Sequence, residues 1–487
     1  MSRALLRRST AITLVLGLIL AGLFSAAQTK AQASGKSDGS GGRAVAHRAG
    51  GKVIRSPAVT RKAPDPALYR IGHNSSEPTL GVGHDGTVFT SAFQTNTRVE
   101  VVRSKNRGKS WDVVSPTLPN GRNAQLLSLD PYTWVDLPPN DKDISRVFTI
   151  DLTVACSYLS FSDDAGESWI TNPLVCGRPV NDHQTLFGGP PVNSPTVGWP
   201  NILYYCWNDV LTSSCQKSLD GGIAWTVTGA PAFLGPSVEN GDNCGGLHGH
   251  GHVGPDGTVY LPRGYCGQPF LSISRDEGAT WTNVQIAKNG IATHEAGVVA
   301  DKFGNVYYTW TGRDRRPYLA VSRNGGEKWS KPLMIGAPGV NEANLPSIAI
   351  GGKGKVAIAY MGTTNSPGMP FPNEGGECTA IGACPEPEEY KGTTWNGYVT
   401  ITANALDKDP VFYSSSVNDP KDPLIRGTCG PGRCKAVFDF IDVTIDRDGV
   451  AWSAWVDGCI AVCTGSGPSN IGSDGVVGRL RGGPSLR

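Results

Sequence analysis

The stretch SISRDEGATW, Ser272 to Trp281, decides how the chain is read. Its skeleton is Ser274-x-Asp276-x-Gly278-x-Thr280-Trp281. An Asp or Asn in such a turn caps backbone N–H groups, Gly accepts a positive φ, and the hydroxyls close local bonds. The Trp then buries a large ring between neighbouring layers. The pattern recurs with the same spacing at Ser104/Asn106/Gly108/Ser110/Trp111 and Ser162/Asp164/Gly166/Ser168/Trp169. It recurs again at Ser218/Asp220/Gly222/Ala224/Trp225 and Ser322/Asn324/Gly326/Lys328/Trp329. The five starts are 58, 56, 56 and 48 residues apart. A period near 50 residues with turn punctuation is what radially repeated sheets produce.

A second marker precedes most copies. It reads HDGTVF at Asp85-Gly86, PDGTVY at Asp256-Gly257 and KFGNVY around Gly304. Weaker versions lie at Asn140–Asp143 and Pro200-Asn201, and two more at Gly354 and Gly449. Together they mark seven inner turns. The composition agrees: 63 Gly, 35 Pro and only 18% charged residues suit short strands and turns. No long stretch after the N-terminus has helical apolar spacing.

The repeated turn resembles the Asp box (BNR repeat) of the sialidase superfamily. The resemblance covers residues 104–329 directly and, through weaker features, about 75–481. It implies an all-β propeller of four-stranded blades; seven blades are favoured here, six being the superfamily's usual number. The first-to-second turns and Asp boxes then share one face, and the long segments 115–130, 226–247, 362–395 and 416–436 gather on the opposite, upper face.

Nine residues before each turn glycine stand Glu77, His248 and Glu295. Asp136, His183, Asn344, Asp439 and Asp442 occupy comparable places on other blades. His248, His250 and His252 alternate along one strand, so they share a face. This rim is the expected ligand site, with His248, His250, Glu295, Glu77, Asp439, Arg263 and Arg313 as its candidates. His248 and His250 are also the candidates for a divalent metal; no motif for another cofactor is legible.

Sialidases clamp their substrate's carboxylate with three arginines and use a Tyr–Glu nucleophile pair and an Asp acid/base. YRIG at 69–72 is similar to the first arginine motif, but it lacks the proline and its spacing differs. Alignment by strand puts Pro78 at the proline position and Ser76 at the arginine position. Glu77, Glu295 and Tyr360 are the catalytic candidates. Two functions follow: a glycan- or ligand-binding propeller without that chemistry, or an exo-α-sialidase or other glycoside hydrolase with displaced residues. Whether the chain is an enzyme is open at this stage.

Arg3, Arg7 and Arg8, the apolar run 11–24 and small-residue cleavage sites read as a signal peptide over 1–33. Residues 34–66 carry seven Lys/Arg against Asp38 and Asp65 and read as a flexible basic linker; the propeller is read over 67–487. Twelve cysteines fall in near neighbours: 156/176, 206/215, 244/266, 378/384, 429/434 and 459/463. Six local disulfides are expected. The protein is thus expected outside the cytoplasm, secreted or at the cell surface, with no stable membrane span after cleavage. Its partner is expected to be a glycan or extracellular polymer, not a nucleic acid; its oligomeric state is not encoded legibly.

Overall fold

In a computed structural model, the described residues are 42–487 apart from 95–97, 118–129, 154–155, 177–180, 210–211, 235–237, 240–241, 244–246, 293–294, 369–391, 428, 430–433, 435–436, 438 and 460–472. Their strands pair antiparallel in sets of four. Blade 1 runs Leu80–Val82, Val88–Gln94, Arg98–Ser104 and Asp112–Val113. Blade 2 is Pro131–Pro139, Ser145–Leu152, Ser157–Ser162 and Ile170–Leu174. Blade 3 is Asp182–Gly189, Ile202–Asn208, Ser213–Ser218 and Thr226–Val227.

Blade 4 comprises His252–Val253, Val259–Tyr265, Gln268–Ser274 and Thr282–Gln285. Blade 5 comprises Ala296–Ala300, Val306–Thr311, Pro317–Ser322 and Leu333–Met334. Blade 6 is Glu342–Ile350, Val356–Thr363, Thr394–Thr402 and Phe412–Ser416. Blade 7 takes three strands from the C-terminal end, Asp442–Ile445, Ala451–Asp457 and Asp474–Arg481, and its outer strand, Asp65–Asn74, from the other end of the chain.

The first strands of successive blades touch in a closed cycle, and that of blade 7 returns to that of blade 1. Close approach there requires glycine: a Cβ on Gly81 would sit 2.4 Å from Val135, and one on Gly251 2.2 Å from Phe187. Between blades the faces bury large rings, among them Trp207, Trp310, Trp395 and Trp455.

The repeated turns are structural clasps. In all five, the Ser hydroxyl donates to the Asp or Asn side chain and accepts the box glycine's N–H at 2.8–2.9 Å. The Asp or Asn oxygen accepts the N–H four residues on, at 2.8–2.9 Å. Each glycine has a positive φ. Blade 6 has a sixth turn of this kind that the sequence pattern did not expose. Thr402 donates to Asn404, which accepts the Val411 N–H, so a longer loop breaks the spacing but keeps the capping geometry.

The N-terminal arm corrects an expectation. The part of the spacer from residue 44 to 64 is packed against the propeller instead of forming a flexible linker. Val45–His47 pairs with the outer strand of blade 6, and Ala44, Ala46 and Ala63 join its core cluster. Open strand edges are sticky, and small apolar residues fit against this one. Disulfides join Cys156 to Cys176, Cys206 to Cys215 and Cys429 to Cys434; Cys266 and Cys459 are also bridged. The expected pair 378/384 and the expected partners 244 and 463 lie outside the described residues. No helix among the described residues is long and apolar enough to cross a membrane.

Trp281 packs half-buried against the core between blades 3 and 4. Trp281→Ala is expected to cost about 3 kcal/mol, the low end for a buried ring. Asp276→Ala, which strips three caps from the same turn, is expected to cost about 1–2 kcal/mol. Urea denaturation of the two variants checks both values.

Candidate functional site

The seven first strands enclose a channel of about 420 Å³. Gly, Val, Ile and Ala recur in its lining, because inner strands must approach closely. Polar groups stand at both of its ends: Asp136, Asn201, Asp301 and Lys302 near the first-to-second turns, and His183 and Glu295 where the first strands begin, on the face away from the Asp boxes.

At this mouth Glu77, Asp130, His183, Glu295 and Asp439 come together. His183 Nε2 lies 2.9 Å from Glu295 Oε1, joining blades 3 and 5 across the ring. The His183 N–H donates to Asp130 Oδ2 at 3.3 Å, and the Asp439 N–H donates to Glu77 Oε1 at 3.3 Å. Glu77 neighbours Asp130 and pulls its acid down. Burial pushes the Asp130 acid up and neighbouring Asp439 adds to this, against opposing pulls from His183 and Glu77. Burial alone would discharge His183, but Glu295 first and Asp439 next outweigh it, and the imidazole is raised to about 9. The buried ring is therefore a cation at neutral pH.

The backbone is strained here. Glu77 has φ 46 and His183 φ 50; Leu345, inside blade 6's first strand at its register shift, has φ 53. Glu77 also precedes Pro78, which narrows its choices further. Non-glycine residues at positive φ persist where surrounding structure over-determines them, commonly at functional sites.

The other candidates are placed as follows. His248 is fully buried beside His183, with ring centroids 6.0 Å apart; burial and then the charge on His183 hold it well below its ordinary value. His250 is one layer deeper, against Phe440 and Tyr132, and is lowered to about 3 by burial and by His183. Its Nδ1 lies 3.9 Å from Asp442 Oδ1, and burial raises that acid to about 7.

The described residues contain no group of three or more His, Cys, Asp or Glu disposed to hold a metal ion. A protonated His183 beside His248 opposes a cation there. Arg263 does not line the mouth. Its guanidinium packs over Phe233 and Tyr265 and donates to Ser213 at 3.2 Å, sealing blade 4 to blade 3. Arg313 stands exposed on the upper turn of blade 5.

Tyr360 is not a rim residue. It is buried between blades 5 and 6, stacked on Tyr398 and bonded to Thr400 and the Ala337 N–H. Asp136 likewise sits at the lower end of its strand, accepting from Trp199 and Asn201. Asn344 is used up on the Cys429 carbonyl and its neighbour's N–H. The residue that sequence reading passed over is Asp130. It closes the long segment before blade 2, and the only signal was an acid immediately before a first strand.

No family model and no curated protein matches the chain. Solved structures similar to it include the K499G mutant of NanB sialidase from Streptococcus pneumoniae, at 13% identity and TM-score 0.41. That match covers 84% of this chain and 69% of the other. The α-L-arabinofuranosidase Arb93A from Fusarium graminearum is similar at 14% identity and TM-score 0.39 over 70% and 92%. The Aleuria aurantia lectin is similar at 14% identity and TM-score 0.40 over 59% and 91%. The closed cycle of four-stranded blades and the repeated Asp-box clasps are properties of this chain itself. Its fold is a sialidase-like β-propeller.

The His183–Glu295 pair sets a pH dependence. A histidine whose folded value is raised stabilises fully below its ordinary value of 6.5 and loses that contribution as pH climbs through about 9. The wild type is expected to lose about 3 kcal/mol of unfolding free energy across that window. His183→Gln is expected to be less stable at pH 6.5 and to lack this slope. Denaturation curves from pH 6 to 10 measure both.

Proposed function

We propose that the protein is an exported propeller that binds a glycan at the upper mouth of its channel, without arginine-clamped sialidase chemistry. The observation that carries this reading is the convergence of Glu77, Asp130, His183, Glu295 and Asp439 from five different blades or their connections at one end of the channel. Carboxylates, carboxylic acids and imidazoles are good partners for sugar hydroxyls, and a rigid ring presents them with little ordering cost. The sign of the charge supports a neutral sugar over a sialoside. Arg70, the residue similar to the first clamp arginine, is paired with Asp457 at 2.9 Å and Asp474 at 3.4 Å. Arg315 is paired with Glu342 at 2.5 Å. An anionic sugar at the mouth would meet carboxylates.

A second reading, hydrolysis of a glycoside, is favoured by one observation. Burial first and Asp439 next raise the Asp130 acid, against the pulls of His183 and Glu77, and an acid raised among other carboxyls is what general-acid chemistry needs. Export is supported by the signal-like N-terminus and by the bridged cysteines. The partner is then a cell-surface or extracellular polysaccharide.

A glycan array, followed by calorimetry on hits, tests the reading. Neutral glycans are expected to bind, and Glu77→Gln and Asp130→Asn are each expected to weaken binding at least about tenfold. Aryl glycosides assayed in parallel separate a binder from a hydrolase. Tight sialoside binding that is lost in Arg70→Ala, or unchanged affinity in both mouth variants, would overturn it.

A further inference from the structure

The N-terminal arm contains a catch whose chemistry differs from that of the rest of the fold. Val45–His47 is a fifth strand on blade 6, with Val45 opposite Ser414 and His47 opposite Phe412. The chain then turns through Gly50 and Gly51, both at positive φ, and comes back so that Val53 bridges to His47 and the Ile54 N–H reaches the Ala46 carbonyl. Among the side chains of this hairpin that meet the blade, His47 is fully buried, while Val45 and Val53 are exposed.

The imidazole ends a chain of hydrogen bonds that crosses three strands. The Ala337 N–H donates to Tyr360 Oη at 2.8 Å, and the Tyr360 hydroxyl lies 3.3 Å from Thr400 Oγ1. Thr400 reaches Ser414 at 2.6 Å, and Ser414 reaches His47 Nε2 at 2.7 Å. His47 Nδ1 lies 2.9 Å from the Arg48 carbonyl, which can only accept, so the ring proton is on Nδ1 and Nε2 is the acceptor. Every hydroxyl in this row donates forward and accepts from behind.

A second proton on the ring reverses the row. Nε2 would donate to Ser414, Ser414 to Thr400 and Thr400 to Tyr360. The Tyr360 oxygen already accepts from Ala337, and its own hydrogen would lose its partner. The buried row holds one proton too few places for a charged imidazole, and the charge itself is desolvated.

We propose that residues 43–54 form an acid-released latch on blade 6, with His47 as its catch. Release uncovers the backbone edge of Phe412–Ser416, which is then open to pairing with another strand. The charged and titratable groups around the catch are few. Arg48 and Asp409 pair at 3.2 Å at the turn, and Arg43 and Asp65 lie 3.9 Å apart at the arm's root. Tyr360 and Tyr413 face it from the blade, and the Tyr413 hydroxyl donates to the Val59 carbonyl of the arm. Burial holds the His47 imidazole below its ordinary value of 6.5. Docking is therefore favoured in full above that pH, and the contribution is lost as pH falls below it.

Hydrogen exchange of the full chain at pH 7.5 and pH 5.0, corrected for intrinsic rates, tests the latch. Opening of peptides 44–48 and 412–416 is expected to rise at least about fivefold at the lower pH, while 202–208 is unchanged. In His47→Gln the amide oxygen can still accept from Ser414 but cannot be protonated, so opening is expected to be the same at both values. Should that variant not fold, Ser414→Ala serves: Nε2 loses its bonded partner and a protonated Nε2 still finds no acceptor, so docking is weaker and the opening midpoint is expected to move to higher pH. Unchanged opening in the wild type, a pH response that persists in His47→Gln, or an unmoved midpoint in Ser414→Ala would overturn the proposal.

Discussion

The register between Asp65–Asn74 and Asp474–Arg481 is the contact on which the rest of the structure depends. It brings opposite ends of the chain into one sheet and closes the cycle of first strands. Without it, blades 1 and 7 would each present an unpaired flank, and the channel would be a groove open to water. Every electrostatic feature of the mouth follows from closure. Groups that would be ordinary surface acids in an open sheet are instead packed around a narrow space, where water cannot screen them.

The mouth is an economy of few protons. Glu295 and Asp439 raise His183 against its burial, while burial first and the His183 charge next hold His248 and His250 low. Burial and Asp439 raise the Asp130 acid, while His183 and Glu77 pull it back. These states are coupled, so the site titrates as a unit and no single residue owns its behaviour. The positive φ at Glu77 and His183 shows that the backbone is bent to deliver these side chains inward.

On the opposite face the clasps are uniform and local. Each ties its own turn with one hydroxyl and one carboxylate or amide, and each holds the same geometry whether the capping residue is Asp or Asn. The clasps and the polar cluster thus lie at opposite ends of the blades. Repeated, redundant bonds fix the bottom, and single, non-repeated polar side chains make up the top.

Sequence alone determined the clasp, its period and the all-β class, because a capped turn is built from residues within eight positions of one another. It also placed Glu77, His248 and Glu295 at the heads of first strands by counting back from the turn glycines. It misplaced Tyr360 and Arg263, and it mistook an ordered arm for a spacer. Whether a tyrosine on an inner strand faces the channel or the next blade depends on strand twist and on which neighbour it meets, and neither is local. Asp130 was hidden because a long connection, with no periodic marker, delivers it to the mouth. Only the tertiary structure could pair His183 with Glu295, 112 residues apart, since ring closure and burial, not spacing, decide which charges meet.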